Sequence, residues 1–599
     1  MKGWAGRILR VDLNSGIFRM EKTDSELAKD YVGARGLGSK MFIDEVKPDI
    51  DALSADNKLI FMTGPLTGTN AISGSRYNVV TKSPLTGTIA ASNSGGFFPG
   101  ELKYAGLDGI VFEGKAEQPV YLYINNDQIE LRPAGELWGK TTHETTAELI
   151  KATDPEAKVA CIGPAGEKQV LYACIINDKN RAAGRSGVGA VMGSKNLKAV
   201  VVRGTKGVEV ADNDAFKQAV AASSKLIKES DVTSAGLPAF GTAILVNVIN
   251  SVGSLPTRNF NTGVFSANEK ISGETLADSY LVRKKACLGC PISCGRATLV
   301  HEGPYAGWGE GPEYESIWAM GSDCEIDDLA AITKANYFAN ELGFDPITFG
   351  STLACAMELT AKGHMPAEDS DLKLKFGDEE VLVEAAKKVG YREGVGDLLA
   401  EGSYRLADKY GYPEFSMSSK KQEYPAYEPR SIQGIGLNYA TSNRGGCHVR
   451  GYTIASEVMG VPMATDPLAT EGKAGLTKIF QDLTALVDAT GLCLFTTFAL
   501  GAPEITAMLA AATGVEYNEE NGMAAGERIW NLERMFNNSA GFTKDDDTLA
   551  PRMFEEEMPE GPAKGRVSGL KEMLGDYYQE RGWDEEGHPT EETRNRLGL

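Results

Sequence analysis

Three of the nine cysteines fall within eight residues, as Cys287-x2-Cys290-x3-Cys294, and this crowding constrains the fold more than any other feature of the 599-residue chain. Three thiolates at this spacing, on a backbone bent by Gly289, Pro291 and Gly295, suit three corners of an iron-sulfur cube. The fourth corner then has to come from a distant segment. A zinc knuckle is the competing reading, but no nearby histidine or second C-x2-C completes a tetrahedral site at the usual spacing. Cys161, Cys174, Cys324 and Cys355 stand singly among apolar neighbours and read as small core residues.

An odd number of cysteines behind a charged start, MKGWAGRILRVDLNSG, argues against both an export signal and a disulfide framework. With no run of eighteen apolar residues, a cytoplasmic protein without membrane contact is expected. A net charge of -21 with no basic run excludes polyphosphate backbones, so the partner is a small molecule or another protein rather than nucleic acid. At 599 residues, two to four structural units are expected, enough to enclose a large cofactor.

The patterning implies an α+β fold, with a β-rich base over 1–210 followed by two mainly helical domains, 211–417 and 418–599, that enclose a cofactor between them. Leu9, Val11 and Leu13 alternate with Arg10, Asp12 and Asn14 before the turn Asn14-Ser15-Gly16, which predicts a half-buried strand and a hairpin. Runs at 121–124, 159–162 and 199–202 continue the strand pattern, and Pro65-Leu66-Thr67-Gly68-Thr69 recurs at 84–88 as a second similar turn. Beyond 210, Leu329, Ile332, Ala335, Ala339 and Leu342 share one helical face, and segments 213–230, 378–389, 396–410 and 473–488 read likewise. The acidic stretch 545–564 and the charged tail from Arg581 read as surface segments.

Two helices end alike, in Asn340-Glu341-Leu342-Gly343-Phe344-Asp345 and Asp488-Ala489-Thr490-Gly491-Leu492-Cys493. Gly343 and Gly491 are placed as C-cap glycines, which turn the chain sharply and project the next two residues. Similar loops suggest similar ligands, although helix-glycine endings are common, and Cys493 is able to supply the missing thiolate. Ser73-Gly74-Ser75-Arg76, Ser92-Asn93-Ser94-Gly95-Gly96 and 181–189 combine small residues with arginines. Such segments bind phosphate through backbone N–H groups and guanidinium forks, and they serve equally as plain turns.

The cysteine triplet, a distant D-x-x-G-L-C and an earlier loop of the same form together resemble the aldehyde:ferredoxin oxidoreductase family of tungstopterin enzymes, from end to end of the chain. The resemblance implies tungsten or molybdenum held by two pterins, a magnesium ion between the pterin phosphates, and one [4Fe-4S] cluster on Cys287, Cys290, Cys294 and Cys493. It implies that Asn340, Phe344 and Asp345 serve one pterin and Asp488, Gly491 and Leu492 the other, with Arg450 also at the cofactor. Arg76 would link a pterin phosphate to the cluster, Asn93 and Ala183 would give backbone carbonyls to magnesium, and Gly95, Ala182, Gly184 and Arg185 would line the phosphates. Asn340 stands where the family usually has Asp. The implied reaction converts an aldehyde and water to a carboxylic acid, or the reverse, with electrons passing singly to a ferredoxin or a ferredoxin-like subunit. Founding members carry paired E-x-x-H motifs that bind an iron between protomers. The one E-x-x-H here, Glu585 to His588, lies in a Gly- and Pro-bearing tail, so any oligomer is expected to form without a shared mononuclear iron.

Proton transfer near neutral pH suits histidine. His448 lies in the turn-rich Asn443–Gly451 segment and Glu313 in Gly309–Glu315, and the resemblance places both beside the metal, with Tyr427 as a third catalytic candidate. Two other readings stay open: an aromatic acyl-coenzyme A ring reductase subunit of the same superfamily, and a non-catalytic iron-sulfur electron-transfer protein.

Overall fold

Alternating apolar residues in the first two hundred positions build two six-stranded sheets in a computed structural model that describes all 599 residues. The first holds β1 (Arg7–Asp12), β2 (Ile17–Lys22), β3 (Leu59–Thr63), β4 (Tyr77–Lys82), β5 (Ile89–Ser94) and β6 (Gly109–Glu113). The second holds β7 (Val120–Asn125), β8 (Gln128–Pro133), β9 (Lys158–Cys161), β10 (Ile175–Asn177), β11 (Arg181–Ala183) and β12 (Leu197–Arg203). Their orders, β2-β1-β6-β3-β4-β5 and β8-β7-β12-β9-β10-β11, are the same connectivity twice. Each has one parallel pair, β1 with β6 and β7 with β12. The chain therefore begins with a structural duplication, and the last strands of the two copies, β5 and β11, adjoin.

The duplication reaches into the helical part. In each copy the third strand runs into a Gly-Pro step, Gly64-Pro65 and Gly163-Pro164, that lies against a helix end. A Cβ on Gly64 would stand 2.2 Å from the Thr490 carbonyl, and one on Gly163 would stand 2.3 Å from the Leu342 carbonyl oxygen. The residue before the fourth strand donates its amide to the C-cap glycine: Arg76 N–H to the Gly491 carbonyl at 3.1 Å, and Cys174 N–H to the Gly343 carbonyl at 2.9 Å. Close approach of backbone to backbone is what excludes side chains at these glycines. The two matching loops are thus seated on matching halves of the sheet assembly.

A third sheet, β13 (Leu281–Lys285), β14 (Gly295–Val300) and β15 (Gly307–Glu310), is antiparallel, and the cysteine triplet occupies the β13–β14 connection. Helices follow, among them Tyr314–Met320, Leu329–Leu342, Pro346–Ala361 and Lys473–Thr490. The α+β order, strands first and helices after, is the one anticipated from patterning. Gly343 and Gly491 end their helices with left-handed φ of 80° and 89°, as their C-cap placement requires. The two Pro-Leu-Thr-Gly-Thr segments are turns on either side of β4.

Four expectations need correction. β1 is covered on both faces, because Ile8 as well as Leu9 and Val11 is buried and Arg10 is enclosed by Glu21, Glu45 and Glu113. Segment 396–410 is two short helices, Val395–Leu399 and Ser403–Lys409, parted at Gly402 with φ 84°. The acidic stretch and tail are anchored rather than superficial: Asp547 pairs with Lys420 and Arg534, Arg552 with Glu358 and Arg581 with Asp482, all buried, and Trp583 joins the main core. Finally, Val232–Ser251 has a mean hydropathy of 1.6 and is long and apolar enough by composition to cross a membrane. It is broken at Gly241 (φ 64°), and its Leu237, Val246 and Ile249 are buried in the core.

Candidate functional site

Where β5 and β11 meet beneath the helices, a cavity of about 320 Å³ adjoins a second of about 300 Å³. Arg76, Ala182, Gly184 and His448 line both. Together they fall within the range of a site for a sizeable small molecule.

At one end Cys287, Cys290, Cys294 and Cys493 line a single small cavity with Arg76 and Ser73. The β13–β14 connection holds the first three, with φ of 64° at Gly289 and 51° at Ser293. Cys493 arrives from the loop after the helix Lys473–Thr490, and its Sγ accepts from Arg76 Nη2 at 2.9 Å. Ser73 Oγ lies 3.2 Å from Cys290 Sγ. Burial pushes the Cys294 and Cys493 thiols up, and Arg76 opposes this at Cys493, so their ionised forms call for positive charge in the cavity. The thiols do not close on a single-ion position. Four thiols around one cavity, with no histidine among its lining, suit a metal centre held by sulfur. Gly95 completes the wall, since a Cβ there would stand 3.0 Å from both Cys287 Sγ and Arg76 Nε.

Next to the thiols lies a cradle of buried arginines. Arg185 Nε donates to Asp345 Oδ2 at 3.1 Å, Arg450 pairs with Asp488, and Arg35 pairs with Glu533. Arg444 has no carboxylate and instead donates to Cys447 Sγ at 3.0 and 3.2 Å. Burial, Arg35 and Arg444 push the Arg450 guanidinium down to about 9. Against the effect of burial, Arg444, Arg450 and Arg185 hold the Cys447 thiol below its ordinary value. Four guanidiniums buried around three carboxylates leave a surplus of positive charge, which an anion such as phosphate would relieve. Arg76 spans the two regions, donating from Nη1 to Asn93 Oδ1 at 3.1 Å. Asn93 Nδ2 in turn lies 3.3 Å from Asp488 Oδ1. The residues present therefore fit a phosphate-bearing cofactor beside a metal cluster.

The sequence-picked residues converge here. Gly95, Asn340, Phe344, Glu313 and Tyr427 line the first cavity, and Asn93, Arg185, Asp345, Arg450 and Asp488 the second. Asn340 Nδ2 is 3.2 Å from the Glu310 carbonyl, and Asp345 also caps the helix Pro346–Ala361. Ala183, Gly491 and Leu492 are buried and line neither cavity, so a ligand there would meet them through the backbone. A Cβ on Gly491 would sit 2.2 Å from Thr67 Oγ1. Gly491→Ala is expected to lower stability by about 1–3 kcal/mol from its left-handed backbone, plus the clash. Gly6→Ala, at φ 77° with nothing within 4 Å of its Cβ, is the control in thermal unfolding. Equal losses from the two variants would show that the loop tolerates the contact.

Above the cradle, Glu313 begins the helix Tyr314–Met320 and accepts from the Thr242 hydroxyl. The Tyr427 hydroxyl is 2.8 Å from that of Tyr452, and its ring centroid is 5.9 Å from that of His448. Glu315, which sequence reasoning passed over, lies with Oε1 3.4 Å from His448 Nε2 and Oε2 accepting from Ala426 N–H at 3.0 Å. Burial pushes the Glu315 carboxyl up to about 8. Burial, then Arg185 and Arg444, holds the His448 imidazole well below its usual value. The contact is consequently one between neutral groups at neutral pH, not an ion pair. Arg444 and the Arg181–Glu310 pair were passed over as well. Their only sequence signal was membership of the same Gly-rich segments.

Models of the aldehyde ferredoxin oxidoreductase family match most of the chain, the N-terminal domain over residues 8–204 and domains 2 and 3 over 218–599. Tungsten-containing aldehyde ferredoxin oxidoreductases of Pyrococcus furiosus and Pyrococcus abyssi are 52% and 51% identical, each alignment covering 100% of this chain and 99% of the relative. Among solved structures, the active-site complex BamBC of benzoyl coenzyme A reductase with 1,5-dienoyl-CoA superposes with a TM-score of 0.87 at 28% identity, over 100% of this chain and 97% of that one.

Proposed function

The chain belongs to the aldehyde ferredoxin oxidoreductase family, and from that premise we propose that it interconverts aldehydes and carboxylic acids at a tungsten-pterin centre. The balance is R-CHO + H2O to R-COOH + 2 H+ + 2 e−. The observation that carries this reading is the continuity of one cleft from four cysteines, through Arg76 and an arginine cradle, to a Glu-His-Tyr face. The metal-pterin group supplies the two-electron chemistry. This chain's residues do the rest.

In this reading 1–210 forms the base, 211–417 brings the triplet and the Asn340 loop, and 418–599 brings the Asp488 loop. Asn340, Phe344 and Asp345 hold one pterin; Asp488, Gly491, Leu492 and Arg450 hold the other. Arg185 and the Gly95, Ala182 and Gly184 backbones take the phosphates, with Asn93 and Ala183 carbonyls turned to magnesium. His448 donates a hydrogen bond to the substrate oxygen, Glu313 accepts the proton from water, and the Tyr427 hydroxyl helps to orient the substrate. The four cysteines would hold a [4Fe-4S] cluster, whose chemistry when bound is one-electron transfer toward a ferredoxin or a ferredoxin-like subunit.

The test is elemental analysis of native protein beside an aldehyde-dependent viologen assay. Tungsten or molybdenum with aldehyde-dependent dye reduction is expected; iron alone, or activity only with aryl-coenzyme A thioesters, would replace the reading with an electron-transfer protein or a ring reductase. About four irons per protomer are expected, with no further mononuclear iron between protomers. Anomalous density for a lone interface iron would refute that count.

A further inference from the structure

We propose that Glu315 is the positioning residue that decides which ring nitrogen of His448 carries the proton. The inference rests on the reading of His448 as the residue at the substrate oxygen. Its geometry is specific. Glu315 projects from the first turn of the helix Tyr314–Met320, and its Oε2 is pinned by the Ala426 amide at 3.0 Å. That leaves Oε1 3.4 Å from His448 Nε2 and without any other partner. His448 Nδ1 is likewise buried and partnerless. Two orphaned polar atoms on one acid and one imidazole, both lining the cofactor cleft, require an account, because buried polar atoms are ordinarily paired. Catalytic hydrogen bonds are often long before the site is loaded and tighten when it is.

Two arrangements satisfy the pair. An ionised Glu315 accepts a hydrogen bond from Nε2–H and leaves Nδ1 as a bare lone pair. A neutral Glu315 donates its own O–H to Nε2, and His448 then carries its proton on Nδ1 and offers a donor to the cleft. A substrate carbonyl oxygen needs the donor. Burial favours the second arrangement and outweighs the Ala426 amide and Arg185, which favour the ionised acid, while Cys447 and Asp345 act with burial. Arg185, Cys447 and Asp345 face Glu315, Arg185 and Arg444 face His448, and the neutral hydroxyls of Tyr314, Tyr427 and Tyr452 close the remaining side. Because the Glu315 carboxyl is pushed up to about 8, raising the pH through that value ionises it, inverts the tautomer and removes the donor.

The test uses holoenzyme labelled with ring-15N histidine, with Glu315→Gln and Glu315→Leu as variants. In wild type, one histidine is expected in the Nδ1–H form near neutral pH and to invert its tautomer on titration through about 8, while turnover falls over the same range. Glu315→Gln keeps a donor for Nε2 without titrating, so turnover should remain within a few-fold of wild type and the alkaline fall should vanish. Glu315→Leu should scramble the tautomer and lower kcat about tenfold. An unchanged tautomer in Glu315→Leu, or an alkaline fall that persists in Glu315→Gln, would overturn the assignment. The ring signals report on Glu315 even in a preparation with no aldehyde activity, so failure of the wider functional reading is told apart from failure of this one.

Discussion

His448→Asn is expected to lower aldehyde turnover by roughly 10² to 10⁴ while metal and cluster loading stay intact. The imidazole is buried on the wall shared by both cavities, and no backbone or side-chain hydrogen bond holds Nδ1 in a structural role. Burial, Arg185 and Arg444 favour its neutral form, so in the proposed role it would act as a hydrogen-bond donor and not as a charge, and the loss would lie in transition-state stabilisation at the carbonyl oxygen. Asparagine puts its amide near the Nδ1 position but has no atom at Nε2 to meet Glu315, so nothing holds its N–H rather than its carbonyl oxygen toward the substrate. A loss of this size is about 3–5 kcal/mol of barrier. Folding should change little, because an uncharged group replaces an uncharged group. Steady-state rates with a viologen acceptor, normalised to tungsten and iron content, provide the measurement. Fully loaded variant turning over within a few-fold of wild type would remove His448 from the mechanism.

Much of this site was legible because its chemistry sits on residues that have few other reasons to be where they are. Cys287, Cys290 and Cys294 mark a candidate metal-thiolate site by their spacing, and Gly343 and Gly491 announce two matching loops because a left-handed C-cap selects glycine. The duplication of the sheets was not legible. Its copies share connectivity but almost no residues beyond Gly64-Pro65 and Gly163-Pro164, while the more obvious repeat, Pro-Leu-Thr-Gly-Thr, marks two turns of one sheet. The duplication also explains why Cys174 is inert. It occupies the place that Arg76 holds in the first copy, but it faces the Asn340 loop, which ends in Asp345 rather than Cys493. Glu315 was missed for a different reason. A third glutamate in Glu310–Glu315 reads as a solvated charge until burial is known, and burial depends on Ala426 and His448 arriving from more than a hundred residues away. The tail misled in the same way, since a charged composition does not reveal that Asp547 and Arg581 find buried partners.

Cys493→Ala should strip the four-iron signature from the protein as thoroughly as Cys290→Ala, although the two cysteines lie some two hundred residues apart. The reason is architectural. The Gly491 carbonyl accepts from Arg76 N–H and the Thr490 carbonyl from Leu66 N–H, and the short span that follows runs toward the triplet. Cys493 is thereby delivered to the cavity that Cys287, Cys290 and Cys294 already line. A cube held by three thiolates of one exposed-edged loop lacks its inner anchor and opens that corner to solvent. The same substitution leaves the Arg76 Nη2 donor without its sulfur, in a place where burial makes an unpaired guanidinium expensive. The wall between cluster and phosphate cradle should therefore loosen as well, and pterin retention should fall with iron content. Iron and sulfide analysis, with electron paramagnetic resonance of the reduced protein, reads the first effect, and tungsten content reads the second. A Cys493→Ala protein with a native four-iron spectrum and potential would mean that the fourth corner comes from elsewhere. If iron were lost while tungsten stayed at wild-type levels, the cluster assignment would stand and Arg76 would lose its place as the link between the two centres.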